Sequence, residues 1–228
     1  MLLTLPVGAA SAANSEMPLP FYLESGTILE KKRVFFEYLK PIVMDENRRV
    51  SEQRNQILAL KNISWTDEQR AWLEAIFTAY KVSVRLFDHQ AWNQLLRRVD
   101  VVPVELVLAQ AANESAWGSS RFAREGNNLF GQWCFTKGCG LVPKHRIPGA
   151  KHEVALFESH AASVRAYILN LNRNSAYEKL RRIRVGLKRM NKPQSAIVLA
   201  AGLEKYSERG KDYIQSIRAI IRSNQNLM

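Results

Sequence analysis

The feature that most restricts the fold of this chain is a helical apolar period that recurs along most of its length. Apolar residues return at steps of three and four positions between residues 27 and 99, and again between residues 164 and 221. This spacing puts apolar side chains on one stripe of a helix, and such a stripe has to be covered by a core. The pattern therefore predicts a mainly α protein.

The helical period is interrupted once, in a stretch where Gly, Pro and Cys accumulate. Short runs at residues 129–135 and 153–157 lie on either side of the turn Ile147-Pro148-Gly149, as in a small β-hairpin. We therefore expect a helical N-terminal region over residues 20–100, followed by a domain over residues 101–228 in which helices carry a small β-hairpin lobe.

The charge of the chain favours a polyanionic partner. The formal net charge is +12, and such an excess suits nucleic acid, an anionic membrane face or a cell-wall polymer. Lys and Arg outnumber Asp and Glu between residues 173 and 222, although solvated helix faces account for most of that excess. The sequence has no helix-turn-helix, zinc-finger or RNP-type motif, so we expect no nucleic-acid partner.

The N-terminus has the character of a signal peptide over residues 1–13. Met1–Gly8 is apolar, and Ala10-Ser11-Ala12 is a small-x-small cleavage pattern, but no Lys or Arg precedes the apolar run. The stretch is too short to span a bilayer, which takes about 20 residues. We expect a periplasmic or secreted protein with no integral membrane segment in the mature chain; the alternative is an N-terminal tail of a cytoplasmic protein.

Two cysteines, Cys134 and Cys139, lie in the Gly-containing stretch. A structural zinc ion would need four ligands, and His145 and His152 could complete that number, but the spacing is not a usual zinc pattern. In an oxidising compartment a local disulfide is the simpler interpretation. We expect a disulfide and no metal, with free thiols as the other alternative.

One carboxylate continues the apolar stripe of a predicted helix that runs from Pro103 to about Ser115. Glu114 follows Val107 by seven residues and Ala111 by three, which places it on that stripe. Apolar surroundings and a position in the last helical turn both favour the neutral acid, the form that a general acid needs. The alternative is a structural Glu paired with one of the arginines that follow.

The residues around Glu114 carry a family resemblance. The run Glu-Ser-Ala-Trp-Gly-Ser-Ser begins at Glu114, and Asn-Asn-Leu-Phe-Gly begins at Asn127. Together they resemble the glucosaminidase domain of bacterial autolysins and flagellar muramidase-like hydrolases, in which Glu-Ser-x-Trp-Gly-x-Ser is followed shortly by Asn-x-Phe-Gly. The resemblance covers about residues 100–222 and is strongest to the bacterial Bax protein group, whose members carry a helical N-terminal extension.

The resemblance implies a fold and an activity. The fold would be lysozyme-like, with helices flanking a cleft and a β-lobe on one side. The activity would be endo-N-acetylglucosaminidase-like hydrolysis of the glycan strands of peptidoglycan by a monomer without a cofactor, with Glu114 as general acid. A lytic transglycosylase and a non-catalytic wall-binding module are the alternatives.

The resemblance also implies further site residues. Tyr206, which follows a small-Gly helix end, would face the cleft near Glu114 and help to position the sugar; the alternative is a core tyrosine. The predicted substrate-binding residues are Trp117, Asn128, Phe130 and Tyr213.

A second catalytic carboxylate is harder to place. Several relatives carry one on the first strand of the lobe, but the corresponding residues 141–147 contain no Asp or Glu. Glu153 shares a strand face with Phe157 and is the preferred candidate, whereas Glu158 lies on the opposite face. The third possibility is that neither serves, with the N-acetyl group of the substrate as nucleophile.

Overall fold

A computed structural model describes residues 26–83, 88–144, 146 and 149–228. The signal-peptide-like segment, the turn residues Ile147 and Pro148, and the possible zinc ligand His145 lie outside these ranges. The helices are α1 (Ile28–Leu60), α2 (Asp67–Ala79), α3 (His89–Arg98), α4 (Val104–Ser115), α5 (Arg121–Gly126), α6 (His160–Arg173), α7 (Glu178–Arg189), α8 (Ala196–Leu199) and α9 (Lys211–Ser223). The strands are β1 (Trp133–Cys134), β2 (Gly140–Leu141) and β3 (Glu153–Ala155). The predicted mainly α fold with a small β-lobe is confirmed.

Helix α1 joins the N-terminal region to the core of the rest of the chain. It begins with a capping box, in which Thr27 and Glu30 satisfy each other's backbone N–H groups. Its fully buried side chains Phe35, Phe36 and Leu39 belong to the same core as α4, α6 and α9. The second half of α1 packs instead with α2 and α3 in a separate cluster around Phe77. The N-terminal helices therefore brace the domain that carries Glu114.

A buried arginine locks the segment between α3 and α4 in place. Arg184 of α7 is fully buried and donates hydrogen bonds to the carbonyl oxygens of Arg97 and Val101 and to Oδ1 of Asn172. Asp100, also buried, accepts from Lys188 at 2.8 Å. Part of the basic excess in α7 is therefore structural, because these cations satisfy the backbone that leads into α4.

The three strands form one antiparallel sheet in the order β1-β3-β2. Trp133 and Leu141 both pair with Val154, whereas Cys134 pairs with Glu153. Since directly paired residues project to the same side of a sheet, the first three side chains share one face, and Cys134 and Glu153 share the other.

The two faces of the sheet have different neighbours. Gly126, the last residue of α5, lies against Leu141 and Leu156 on the Trp133 face, which therefore turns towards the helical body. The opposite face carries the disulfide between Cys134 and Cys139. None of the helices in the described ranges is long and apolar enough to cross a membrane.

Candidate active site

Glu114 lies at the point where α4 ends abruptly. The helix ends at Ser115. The three residues that follow have φ values in the left-handed region, at 51° for Ala116, 59° for Trp117 and 80° for Gly118. For residues other than glycine this left-handed region is unfavourable and persists only where neighbours impose it. Ser115 supplies that restraint, because its buried hydroxyl donates to the Ala111 carbonyl and accepts from Gly118 N–H at 2.8 Å. The backbone changes direction directly after Ser115, so Glu114 lies at the C-terminal end of α4.

The two oxygens of the half-buried Glu114 carboxyl have different surroundings. Oε1 accepts hydrogen bonds from the Tyr213 hydroxyl at 2.8 Å and from Asn113 Nδ2 at 3.0 Å. No hydrogen bond from the residues that the structure describes reaches Oε2. Because Oε1 is held as an acceptor, a proton on this carboxyl belongs on Oε2. The geometry thus presents one free oxygen that can carry and release a proton.

A buried chain of hydrogen bonds fixes the direction of the Tyr213 hydroxyl. Gln110, one helical turn before Glu114, is fully buried and donates from Nε2 to Tyr213 Oη at 2.8 Å. The Tyr167 hydroxyl donates to Gln110 Oε1, which turns the amide nitrogen towards Tyr213. A phenol has one hydrogen to donate, and since Tyr213 Oη already accepts from Gln110, that hydrogen goes to Glu114.

The two tyrosines of this hydrogen-bond network, Tyr213 and Tyr167, remain neutral donors. Burial, reinforced by the nearby charge of Glu114, raises the pKa of Tyr213 far above its ordinary value of 10.0. Burial likewise raises the pKa of Tyr167 well above that value. Neither hydroxyl ionises near neutral pH, so both remain hydrogen-bond donors there.

Tyr206 supports Tyr213 and does not touch Glu114 through its hydroxyl. The two rings stack at 5.2 Å, and Tyr206 Oη donates to the carbonyl oxygen of Phe130 at 3.1 Å. Gly202, four positions before Tyr206, is required by packing, because a Cβ at this position would lie 2.3 Å from Leu180 Cα. The resemblance implies that Tyr206 faces the cleft near Glu114, and in the structure the hydrogen bond to Glu114 comes from Tyr213.

Asn128 and Phe130, both predicted to bind substrate, are buried and have partners within the protein. The Asn128 amide donates to the carbonyls of Gln132 and Ala155 and accepts from two backbone N–H groups of its own turn. Phe130 stacks on Tyr167 at 4.0 Å. The Asn-x-Phe-Gly run therefore holds the turn whose Phe130 carbonyl accepts from Tyr206, and substrate binding by Asn128 and Phe130 stays a prediction.

Trp117 links the motif to the N-terminal helix. Its half-buried ring makes edge contacts with Phe35 and Phe36, with centroids 5.8 and 5.3 Å away. Lys32 Nζ lies 5.1 Å from the same ring. This side chain, predicted to bind substrate, therefore fixes the exit of α4 against α1.

The backbone of the β-lobe holds Glu153 in place. Its carboxylate accepts from the N–H groups of Gly138 at 3.0 Å and Gly140 at 2.8 Å. The hydrogen bond from Gly138, followed by that from Gly140, lowers the pKa of Glu153. Glu153 occupies the sheet face that carries the disulfide, since it pairs with Cys134, and its catalytic role stays a prediction. Glu158 is exposed.

The side chains that could bind a metal ion in the lobe make other bonds in this structure. Within the described ranges, the one group of possible ligands is Cys134, Cys139 and Glu153. Both sulfurs belong to the disulfide, and the carboxylate is held by backbone N–H groups. His152 stacks on Trp133 at 3.9 Å.

The network behind Glu114 includes two residues that the sequence motifs do not single out, Gln110 and Tyr167. One signal for Gln110 was available: it is a polar residue in the middle of an otherwise apolar helix face, four positions before Glu114. Tyr167 carries no local signal, because it looks like an ordinary core position of α6.

Comparisons with known proteins agree with the motifs. Residues 89–226 match the Glucosaminidase family model, described as mannosyl-glycoprotein endo-beta-N-acetylglucosaminidase. The chain is also 33% identical over 220 residues to Protein bax of Escherichia coli (strain K12), covering 96% of this chain and 78% of that protein. No solved structure matches the chain. The resemblance predicted from the runs at Glu114 and Asn127 is confirmed.

Proposed function

The chain belongs to the glucosaminidase family, and from that membership we propose that it is a peptidoglycan hydrolase that cleaves glycan strands as an endo-N-acetylglucosaminidase. Glu114 is the general acid. The observation that carries this assignment is the asymmetry of its carboxyl, with Oε1 held by Tyr213 and Oε2 unbonded by described residues.

The proposed chemistry follows from that asymmetry. Glu114 protonates the glycosidic oxygen from Oε2, and the bond to the leaving sugar breaks as positive charge develops on the other sugar. Negative charge then builds on the Glu114 carboxylate. The Tyr213 hydroxyl, aimed at Oε1 by Gln110, stabilises that charge without needing to reorient.

The second catalytic group is the open part of the mechanism. The Glu153 carboxylate is held by the N–H groups of Gly138 and Gly140. We therefore do not assign it as the base that activates water beside Glu114. Hydrolysis assisted by the substrate's own N-acetyl group fits a site with a single acid. The same observation favours one rival, a lytic transglycosylase, which needs one acid and no water.

Mass spectrometry of purified peptidoglycan digested by the protein tests the proposal. Fragments with reducing N-acetylglucosamine ends support endo-N-acetylglucosaminidase activity. Anhydro ends identify a transglycosylase, and reducing N-acetylmuramic acid ends identify a muramidase. Binding to wall material without release of any soluble fragment would replace catalysis by the wall-binding alternative.

We also propose that the protein works in the periplasm or outside the cell. Support comes from the apolar, signal-peptide-like residues 1–13 and from the disulfide between Cys134 and Cys139, a bond that persists in oxidising compartments.

A further inference from the structure

The β-lobe carries a flat aromatic surface that the chemistry at Glu114 does not use. Trp133 is 59% exposed although it lies in a strand. Its indole stacks on His152, with centroids 3.9 Å apart and an interplanar angle of 14°. One face of the ring is therefore supported by the imidazole, and the exposed fraction of the side chain leaves the other face to solvent.

We propose that Trp133 is a sugar-binding platform, on which a pyranose ring of the glycan strand stacks outside the bond-cleaving centre. An aromatic face suits the apolar C–H face of a pyranose, while the polar edge of the indole remains free for hydroxyl groups. The inference rests on the proposed function for its ligand, because it takes the glycan strand as the molecule that reaches the lobe.

The position of Trp133 in the sheet places the platform on the correct side of the lobe. Trp133 shares its face with Val154 and Leu141, and this face turns towards the helical body through Gly126. Helix α5 covers the Leu141 end of the face. Trp133, on the edge strand β1, is left uncovered at the other end.

The backbone connects Trp133 directly to the Glu114 network. Trp133 follows Phe130 by three positions, which limits their Cα atoms to about 11 Å apart. The Phe130 carbonyl accepts from Tyr206, which stacks on Tyr213, and Tyr213 bonds to Glu114. A strand that has a sugar at Glu114 is thus within reach of the platform through a few neighbouring sugars.

The charge of the lobe fits a glycan that bears carboxylates. The described cations of the lobe are Lys137, Lys144, Arg146 and Lys151. The acidic group among them, Glu153, is occupied by the N–H groups of Gly138 and Gly140. A positively charged lobe that carries an aromatic platform suits a sugar backbone whose peptide stems carry negative charge.

Sugar binding to a Glu114→Gln protein tests the platform without cleavage of the probe. Chito-oligosaccharides of N-acetylglucosamine are titrated by isothermal titration calorimetry, and Trp133→Ala is compared with Phe135→Ala in the same background. Phe135 is the matched control because it is 73% exposed and only two residues away. We expect Trp133→Ala to weaken binding about tenfold or more, as for loss of an aromatic anchor, with Trp133→Phe in between and Phe135→Ala near the parent.

Three results would overturn the platform. One is unchanged sugar affinity in Trp133→Ala, and another is equal losses in Trp133→Ala and Phe135→Ala. The third is a loss of binding to anionic phospholipid vesicles with sugar binding intact, since this would identify a membrane-facing surface. None of these results bears on cleavage by the Glu114 form, so the proposed function is judged separately by its digestion products.

Discussion

Tyr213→Phe is the substitution that separates the hydrogen-bond chain from the rest of the site. It removes one oxygen, and with it the 2.8 Å bond to Glu114 Oε1 and the 2.8 Å bond from Gln110 Nε2. The ring and its stacking on Tyr206 remain, so packing changes little. The amide nitrogen of Gln110 loses its partner in a fully buried position, which costs about 1–3 kcal/mol of folding stability.

The effect on catalysis follows from the charge that Glu114 acquires. A hydrogen bond to a charged group contributes about 1.5–3 kcal/mol, and each 1.36 kcal/mol corresponds to about a tenfold change in rate. We therefore expect kcat on purified peptidoglycan to fall by about 10- to 100-fold. KM should change less, because the bond strengthens as the proton leaves.

Tyr206→Phe is the matched control for this prediction. It also removes one phenolic oxygen, but the lost bond goes to the Phe130 carbonyl at 3.1 Å and not to Glu114. Rates of both variants are measured by release of soluble fragments, with thermal denaturation as the measure of folding. The reasoning is refuted if the two variants lose activity equally, or if Tyr213→Phe retains the kcat of the parent.

Three further predictions concern the lobe and the core. Glu153→Gln should lower the melting temperature at pH 7, and the difference from the parent should shrink as pH falls below 4.5, the ordinary pKa, because a carboxylate with a lowered pKa stabilises only while ionised. Cleavage by the folded variant should persist, and loss of cleavage without unfolding would return Glu153 to the mechanism. Arg184→Ala should lower the free energy of unfolding in urea by about 3–5 kcal/mol, whereas Arg182→Ala, exposed on the same helix, should change it by less than about 0.5 kcal/mol; equal effects would contradict the role of Arg184. Alkylation of denatured, unreduced protein from the periplasm should label no cysteine, and labelling of Cys134 and Cys139 would argue against the disulfide and the compartment.

Local patterns in the sequence predict the elements of this fold and single out Glu114, the proposed general acid. The apolar period predicts the helices, and the interruption by Gly, Pro and Cys predicts the lobe. Glu114 is found because it continues a stripe and begins a specific run of residues. Each of these signals lies within a few residues of the feature that it predicts, where backbone geometry alone fixes which side chains share a face.

The hydrogen bonds that orient Glu114 are beyond such patterns. Gln110 meets Tyr167 across 57 positions and Tyr213 across 103, and no periodicity links residues so far apart. Glu153 illustrates a second limit. Alternation along β3 correctly separates its two faces, but only the packing of Gly126 against Leu141 decides which of them turns towards the helical body.

The structural role of Asn128 is not evident from the sequence for a different reason. A polar residue within a family motif is naturally interpreted as a ligand contact, yet a buried amide that makes four internal bonds is equally specific in its requirements. The same residues can thus be essential to a site by holding its backbone, and only the hydrogen-bond partners distinguish the two roles.

Replacement of Glu114 by Gln, compared with Glu105→Gln, is the most direct test of the central claim. Both carboxylates lie on α4, but Glu105 is exposed in its first turn. Release of soluble fragments from purified peptidoglycan should fall by about 10²–10⁴-fold or more in Glu114→Gln, because the amide has no proton to transfer. The melting temperature should stay close to that of the parent, and Glu105→Gln should cleave normally. Cleavage by Glu114→Gln at a rate close to that of the parent would contradict the assignment of Glu114 as the general acid.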